Sequence, residues 1–270
     1  MVNISSPRKV LAWPARRGPS LRTLYSALYN AYGQQCWWPA DTPLEVVVGA
    51  YLTQNTSWLA VERSLNNLRA RGLLNLDGLR TIAEPELQTL IRPSGHMTRK
   101  ASAIKAFICF LDLEHERSLE RLAAAPTPLV RQQLLALPGV GEETADAILL
   151  YALDHPAMVA DEYLRRIAFR HGLAPQGAKY AQLQALAEAA FAGEDLDTYT
   201  SLAKEFHALV VAVGKNHCRN QPVCEGCPLE CFLEQNPPKE PPATPVRRRA
   251  PGGGAAAALT LRRKRSERST

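Results

Sequence analysis

No apolar run in this sequence reaches the length needed to cross a membrane. The first twenty residues are basic but carry no apolar segment, so no signal peptide is expected there. Both absences predict a cytoplasmic protein, and in that compartment the six cysteines are metal ligands or free thiols rather than disulfides. Strand-like alternation is missing too. Apolar residues recur instead at helical spacing, which predicts an all-α fold. Acidic residues are scarce at both ends. Residues 1–22 carry five Lys or Arg and no acid, and residues 236–270 carry nine against two. The net charge of +6 therefore belongs to the arms and leaves residues 23–235 at −6. A body of that sign would bind nucleic acid through a local patch and backbone N–H groups, not through a uniformly positive surface.

What is present is helical periodicity. It predicts helices over residues 21–32, 43–53, 58–71, 84–91, 99–113 and 119–124, and one ending near Ala136. Further helices are expected over 142–153, 162–170, 180–191 and 196–213. Thr42, Pro43 and Glu45 supply a cap, a first-turn proline and a capping-box partner. The dense VVVGAYL run that follows marks this helix as central. Residues 1–20 read as a flexible basic arm. Residues 232–270, rich in Pro, Gly, Ala and Arg, read as a disordered basic tail that serves solubility or salt-sensitive tethering to DNA.

Residues 128–172 hold the densest pattern. Pro138 ends one helix, Gly139 and Gly141 allow a sharp turn, and a second helix opens at Gly141. A Gly-rich turn opening a helix N-terminus can bind a phosphate; it can equally be an αα-hairpin with glycines for packing. Asp161 precedes an apolar-periodic stretch and reads as its N-cap. A carboxylate at a helix N-terminus stays ionised.

Cys218, Cys224, Cys227 and Cys231 are spaced C-x5-C-x2-C-x3-C. Four thiols within so short a stretch predict a metal site, either tetrahedral zinc or a [4Fe–4S] cluster; spacing alone does not decide. Cys109 falls on an apolar helix face and is expected in the core.

Together these stretches resemble the endonuclease III superfamily of DNA glycosylases. The carriers are LPGVG with the downstream Asp161, and the cysteine loop that follows HALVVAVGKNHC. WWPADTPLEVVVGAYLTQNTSW, IRPSGHMTRK and GEETADAILLYA strongly resemble one branch, the 3-methyladenine DNA glycosylase III-like proteins. The resemblance covers roughly residues 21–231.

It implies a two-domain helix-hairpin-helix glycosylase fold. Residues 36–154 would form a six-helix domain with the hairpin. Residues 21–35 and 155–231 would form a second helical domain ending in the cysteine loop. It implies backbone phosphate binding at Leu137, Gly139, Val140, Gly141 and Lys215, and Asp161 as the catalytic carboxylate. Gln54 would fill the duplex where a nucleotide has flipped out, a step that costs a few kcal/mol; otherwise it is an ordinary polar helix terminus. Trp37, Trp38, Pro39 and Trp58 would line the base pocket, with a core cluster as the plain alternative. The implied cofactors are a [4Fe–4S] cluster, ahead of zinc, and a monovalent cation at the hairpin. The family's last cysteine gap is usually longer than the three residues here.

Where lyase members carry a lysine, this chain has Glu143, so no Schiff base can form from that position. A monofunctional enzyme acting on alkylated purines follows, as a cytoplasmic, nucleoid-associated monomer on double-stranded DNA. Electron-rich indoles suit a cationic base. The alternatives are a glycosylase/AP lyase for oxidised pyrimidines, a uracil or thymine mismatch glycosylase, and a non-catalytic DNA-binding module.

Overall fold

The computed structural model describes residues 19–35 and 37–233. Nearly all of the N-terminal arm and of the C-terminal tail expected from the sequence lies outside the described residues, as does Cys36. The described residues belong to one compact unit, Met1–Pro237, and they contain helices and no strand. Among them, no helix is long and apolar enough to cross a membrane.

Helix α1 (Leu21–Tyr32) starts where the Ser20 hydroxyl accepts the Thr23 N–H. Helix α2 (Pro43–Leu52) starts at Thr42, which accepts the Glu45 N–H, with Pro43 in the first turn. Every residue of α2 from Leu44 to Leu52 is buried. Its charged member, Glu45, pairs with Arg69. Helix α3 (Trp58–Ala70) follows, then α4 (Leu76–Thr81), α5 (Glu84–Leu90) and a 3-10 turn at Arg92–Ser94. The periodicity did not predict α4, because six residues containing a glycine are too short to show a period. Its start is set locally, by the Asn75 side chain accepting the Gly78 N–H at 2.8 Å.

Helix α6 (Met97–Glu114) begins two residues before the predicted 99. Its buried stripe runs through Lys100, Ala101, Ala103, Ile104, Phe107, Ile108 and Leu111. Cys109 falls off that stripe and is exposed, contrary to the expected core position. Helices α7 (Leu119–Ala124), α8 (Thr127–Ala136) and α9 (Glu142–Ala147) come next. The single helix predicted over 142–153 is α-helical only to Ala147; Ile148–Ala152 is a π-turn. Helices α10 (Glu162–Arg170), α11 (Tyr180–Ala190) and α12 (Leu196–Asn216) complete the set, with a 3-10 turn at Glu230–Phe232.

Helix α2 packs against α3, α6, α9 and the π-turn. Helices α1 and α10 pack against α11 and α12, and α12 also meets the π-turn. The π-turn thus touches both the central helix α2 and the long helix α12. Asp146 braces the same region. It is fully buried, takes Arg131 Nε and Nη2 at 2.7 and 2.9 Å, and accepts Tyr180 Oη and Gln184 Nε2 at 2.8 Å each. A buried carboxylate with four hydrogen bonds is satisfied rather than stranded, and it fixes α8, α9 and α11 together.

Candidate active site

A cleft of about 1190 Å³ opens between α2, α9, α10 and α12. Trp37, Trp38, Gln54, Trp58, Gly139, Gly141, Glu143, Asp161 and Lys215 line it, so most residues singled out by sequence converge there. Asp161 is buried and caps α10. Its Oδ1 accepts the Leu164 N–H at 2.8 Å, while its Oδ2 lies 3.7 Å from His207 Nε2. One oxygen is therefore committed to the helix start and the other is available for chemistry.

The aromatic wall is one connected group. Trp37 and Trp38 lie 5.0 Å apart between ring centroids, and Trp38 meets Trp58 edge-on at 5.5 Å. Tyr151, carried by the π-turn, stands behind both indoles at 5.6 and 5.3 Å. Gly49 of α2 lets Trp38 approach the helix: a Cβ there would already touch the indole at 3.5 Å. Pro39, expected in this wall, is exposed and does not line the cleft. The Ala40 N–H folds back onto the Trp38 carbonyl at 3.0 Å, so Pro39 sits at the apex of a tight turn.

The hairpin bends at Gly139, whose φ of +79° suits glycine. Leu137 is extended, as expected before a proline. Leu137 and Val140 pack against the core, and Val140 gives its N–H to the Leu137 carbonyl at 3.3 Å. Only Gly139 and Gly141 of the four expected hairpin residues line the cleft. Gln54 Nε2 donates to the Gly139 carbonyl at 2.8 Å and to Thr144 Oγ1 at 3.1 Å. Lys100 holds the turn that carries Gln54. Its buried ammonium donates to the Leu52 carbonyl at 2.7 Å, and to Thr56 Oγ1 and the Ser94 carbonyl at 2.8 Å each.

Glu143 lies beside Asp161. Desolvation in the cleft, then the Asp161 charge, push its carboxyl up to about 6, against a smaller lowering by His207. The basic side chains that line the cleft are Arg99, Arg166, Lys215 and Arg219, with His207 the titratable base within it. Arg166 lies 4.8 Å over the Tyr163 ring and gives its Nε–H to the Cys218 carbonyl at 3.0 Å. The segment after α12 therefore carries both the cysteines and part of the cationic rim.

Cys218, Cys224 and Cys227 line one small apolar pocket over buried Leu229. Arg170 Nη1 donates to Cys218 Sγ at 3.0 Å. Cys231 is exposed and outside that pocket. Among the described residues, no three His, Cys, Asp or Glu side chains are gathered as ligands for a single metal ion. The donor chemistry suits a thiolate-held group, but only three of the four cysteines line the same pocket.

Sequence reasoning missed Tyr151, Tyr163 and His207. The one available signal was a histidine inside the apolar run HALVVAV of α12.

Helical proteins that set such a hairpin against a cap aspartate form one class, the helix-hairpin-helix DNA glycosylases. The profile of HhH-GPD superfamily base excision DNA repair proteins matches residues 48–192. The chain is 42% identical over 211 residues to a Methanocaldococcus jannaschii protein named as a DNA repair glycosylase, covering 77% of this chain and 93% of that one. It is 26% identical to a thymine-DNA glycosylase of Aeropyrum pernix, over 80% of this chain and 95% of the relative. An H. pylori 3-methyladenine DNA glycosylase bound to 1,N6-ethenoadenine superposes with a TM-score of 0.64 at 28% identity, covering 73% and 98% of the two chains. A trapped endonuclease III–DNA intermediate superposes at 0.66 with 20% identity, over 79% and 94%, and so shares the fold. The chain belongs to the HhH-GPD superfamily and is a base-excision DNA glycosylase.

Proposed function

We propose that this glycosylase is monofunctional and removes alkylated, positively charged purines such as 3-methyladenine from double-stranded DNA. The observation that carries this reading is a carboxylate, Glu143, beside Asp161 where an amine would be needed for strand cleavage. The flipped nucleotide enters the cleft, and Gln54 fills the gap it leaves. The base lies against Trp37, Trp38 and Trp58, where each indole face attracts a cationic ring by ~0.5–2 kcal/mol. The bond from C1′ to the base nitrogen breaks, and its electron pair neutralises the departing base. No proton donor is needed for that leaving group. Asp161 Oδ2 stabilises the oxocarbenium and takes a proton from the water that attacks C1′. The products are a free base and an abasic site.

Support for the purine reading comes from the aromatic wall and from the likeness to the H. pylori enzyme. Gly139, Gly141 and Lys215, with Arg99, Arg166 and Arg219, would hold the DNA backbone, the protein acting as a monomer. Cys218, Cys224, Cys227 and Cys231 would hold a [4Fe–4S] cluster once Cys231 turns inward, stapling the segment that carries Lys215 and Arg219. Iron and sulfide analysis with a visible spectrum distinguishes that cluster from colourless zinc.

The test is a panel of lesion-bearing duplexes scored for free base, with and without alkali. Release of methylated purine without strand breaks until alkali is added is expected, and Asp161→Asn should abolish it. Strand cleavage without alkali, preference for oxidised pyrimidines, or preference for uracil or thymine mismatches would each support an alternative. No release from any duplex would leave a DNA-binding module.

A further inference from the structure

His207 is buried beside the catalytic carboxylate, and the reaction just described gives it no part. Its Nε2 lies 3.7 Å from Asp161 Oδ2 and its Nδ1 lies 2.8 Å from Tyr151 Oη. Trp37 closes a third side, with ring centroids 5.4 Å apart. The imidazole is thus held between the π-turn, α12 and the aromatic wall.

The geometry limits where its proton lies. Tyr151 is half-buried, and desolvation raises its hydroxyl, so it remains a phenol. Its Oη lies within hydrogen-bond distance of the Lys204 carbonyl, at 3.1 Å, and shares one hydrogen with His207 Nδ1, given by whichever of the two carries it. A bare Nε2 would present a lone pair to a buried carboxylate oxygen. Two acceptors facing each other inside a cleft are repulsive, so Nε2 carries a hydrogen. The other charged and titratable groups nearby are Glu143 from α9, Glu162 and Arg166 on α10, and Lys204, Glu205 and Lys215 on α12.

We infer that His207 is a positioning residue: locked by Tyr151, it turns its Nε2–H toward Asp161 Oδ2 and holds that oxygen toward the reacting sugar. The inference rests on Asp161 being the catalytic carboxylate.

Two measurements on the full-length protein test it. The first needs no activity: nitrogen-15 NMR of the histidine side chains, with His207 assigned through His207→Gln. A protonated Nε2 whose shift moves in Asp161→Asn is expected. An unprotonated Nε2, or no response to Asp161→Asn, overturns the inference. The second is single-turnover base release from methylated duplex. His207→Leu should slow release by roughly tenfold or more, a barrier rise of about 1.4 kcal/mol, with duplex affinity nearly unchanged. His207→Gln, which keeps an N–H donor, should recover most of that loss. A wild-type rate in His207→Leu, or a Gln variant no better than Leu, also overturns it. If Asp161→Asn itself remains active, the reading of the reaction fails, and the NMR result still decides what Nε2 carries.

Discussion

Gln54 donates its side-chain amide to the Gly139 carbonyl at 2.8 Å, so the residue expected to enter the duplex is tied to the hairpin expected to grip its backbone. The second bond, to Thr144 Oγ1, ties it to the start of α9 as well. Entry into DNA would break both bonds, so the hairpin and the inserting residue would respond together. Gln54→Ala should cost about 1 kcal/mol of stability, the net worth of such hydrogen bonds. It should cost more in catalysis, because an unfilled gap leaves the flipped state a few kcal/mol less favourable. Urea denaturation and single-turnover base release on the same protein separate the two. A stability loss with unchanged release would reduce Gln54 to a brace for the hairpin.

Glu143 has the clearest pH signature. Its carboxyl is raised from 4.5 to about 6 in the folded protein. The folded state therefore holds the proton more tightly than the unfolded chain between those values. Linkage then makes this group's contribution fall as pH rises through that window and stay low above it. Glu143→Gln removes the charge without changing the shape. Its melting temperature should match the wild type near pH 4 and exceed it above pH 6. A difference between the two proteins that does not vary with pH would contradict the placement of this carboxyl beside Asp161.

Much of this site was legible in the chain because its cues are local. Thr42 with Pro43, Pro138 with Gly139, and Asp161 before α10 each act within a few residues, and each appears as the sequence reads. His207 was not legible: it becomes meaningful only when α12 packs against the π-turn and brings it to Asp161, 46 positions earlier. The π-turn was hidden because the run from Thr144 to Leu150 is buried throughout, and a residue buried on every side shows no period to break. Pro39 misled because its neighbours do line the cleft, while one backbone turn points it away.

Gly214 of α12 faces Tyr163, and a Cβ there would fall 2.1 Å from the ring and 2.8 Å from the Tyr163 Cβ. The second contact matters because rotating the ring cannot relieve it; α10 and α12 must separate. Gly214→Ala gains helix propensity of ~1 kcal/mol, yet should lose about 2 kcal/mol net through overpacking. Arg166, stacked on Tyr163, should shift with it. Chemical denaturation together with duplex affinity checks this. A stabilised variant would show that the two helices are not held as described.

Glu143→Lys tests the chemistry from the opposite direction. The position lies in the cleft with Asp161, so an amine placed there would lie near the sugar carbon that Asp161 serves. A lysine flanked by Asp161 and Glu162 would be held largely as ammonium, which slows attack. A Schiff base at C1′ nevertheless requires only the minor free amine, and borohydride traps it irreversibly. The variant should form a covalent adduct with abasic duplex under borohydride, while the wild type forms none. Adding Asp161→Asn should leave trapping on a preformed abasic site detectable, since base release is no longer needed, but should abolish trapping on methylated duplex. An adduct in the wild type would mean that another amine reaches C1′, and the monofunctional reading would then be wrong.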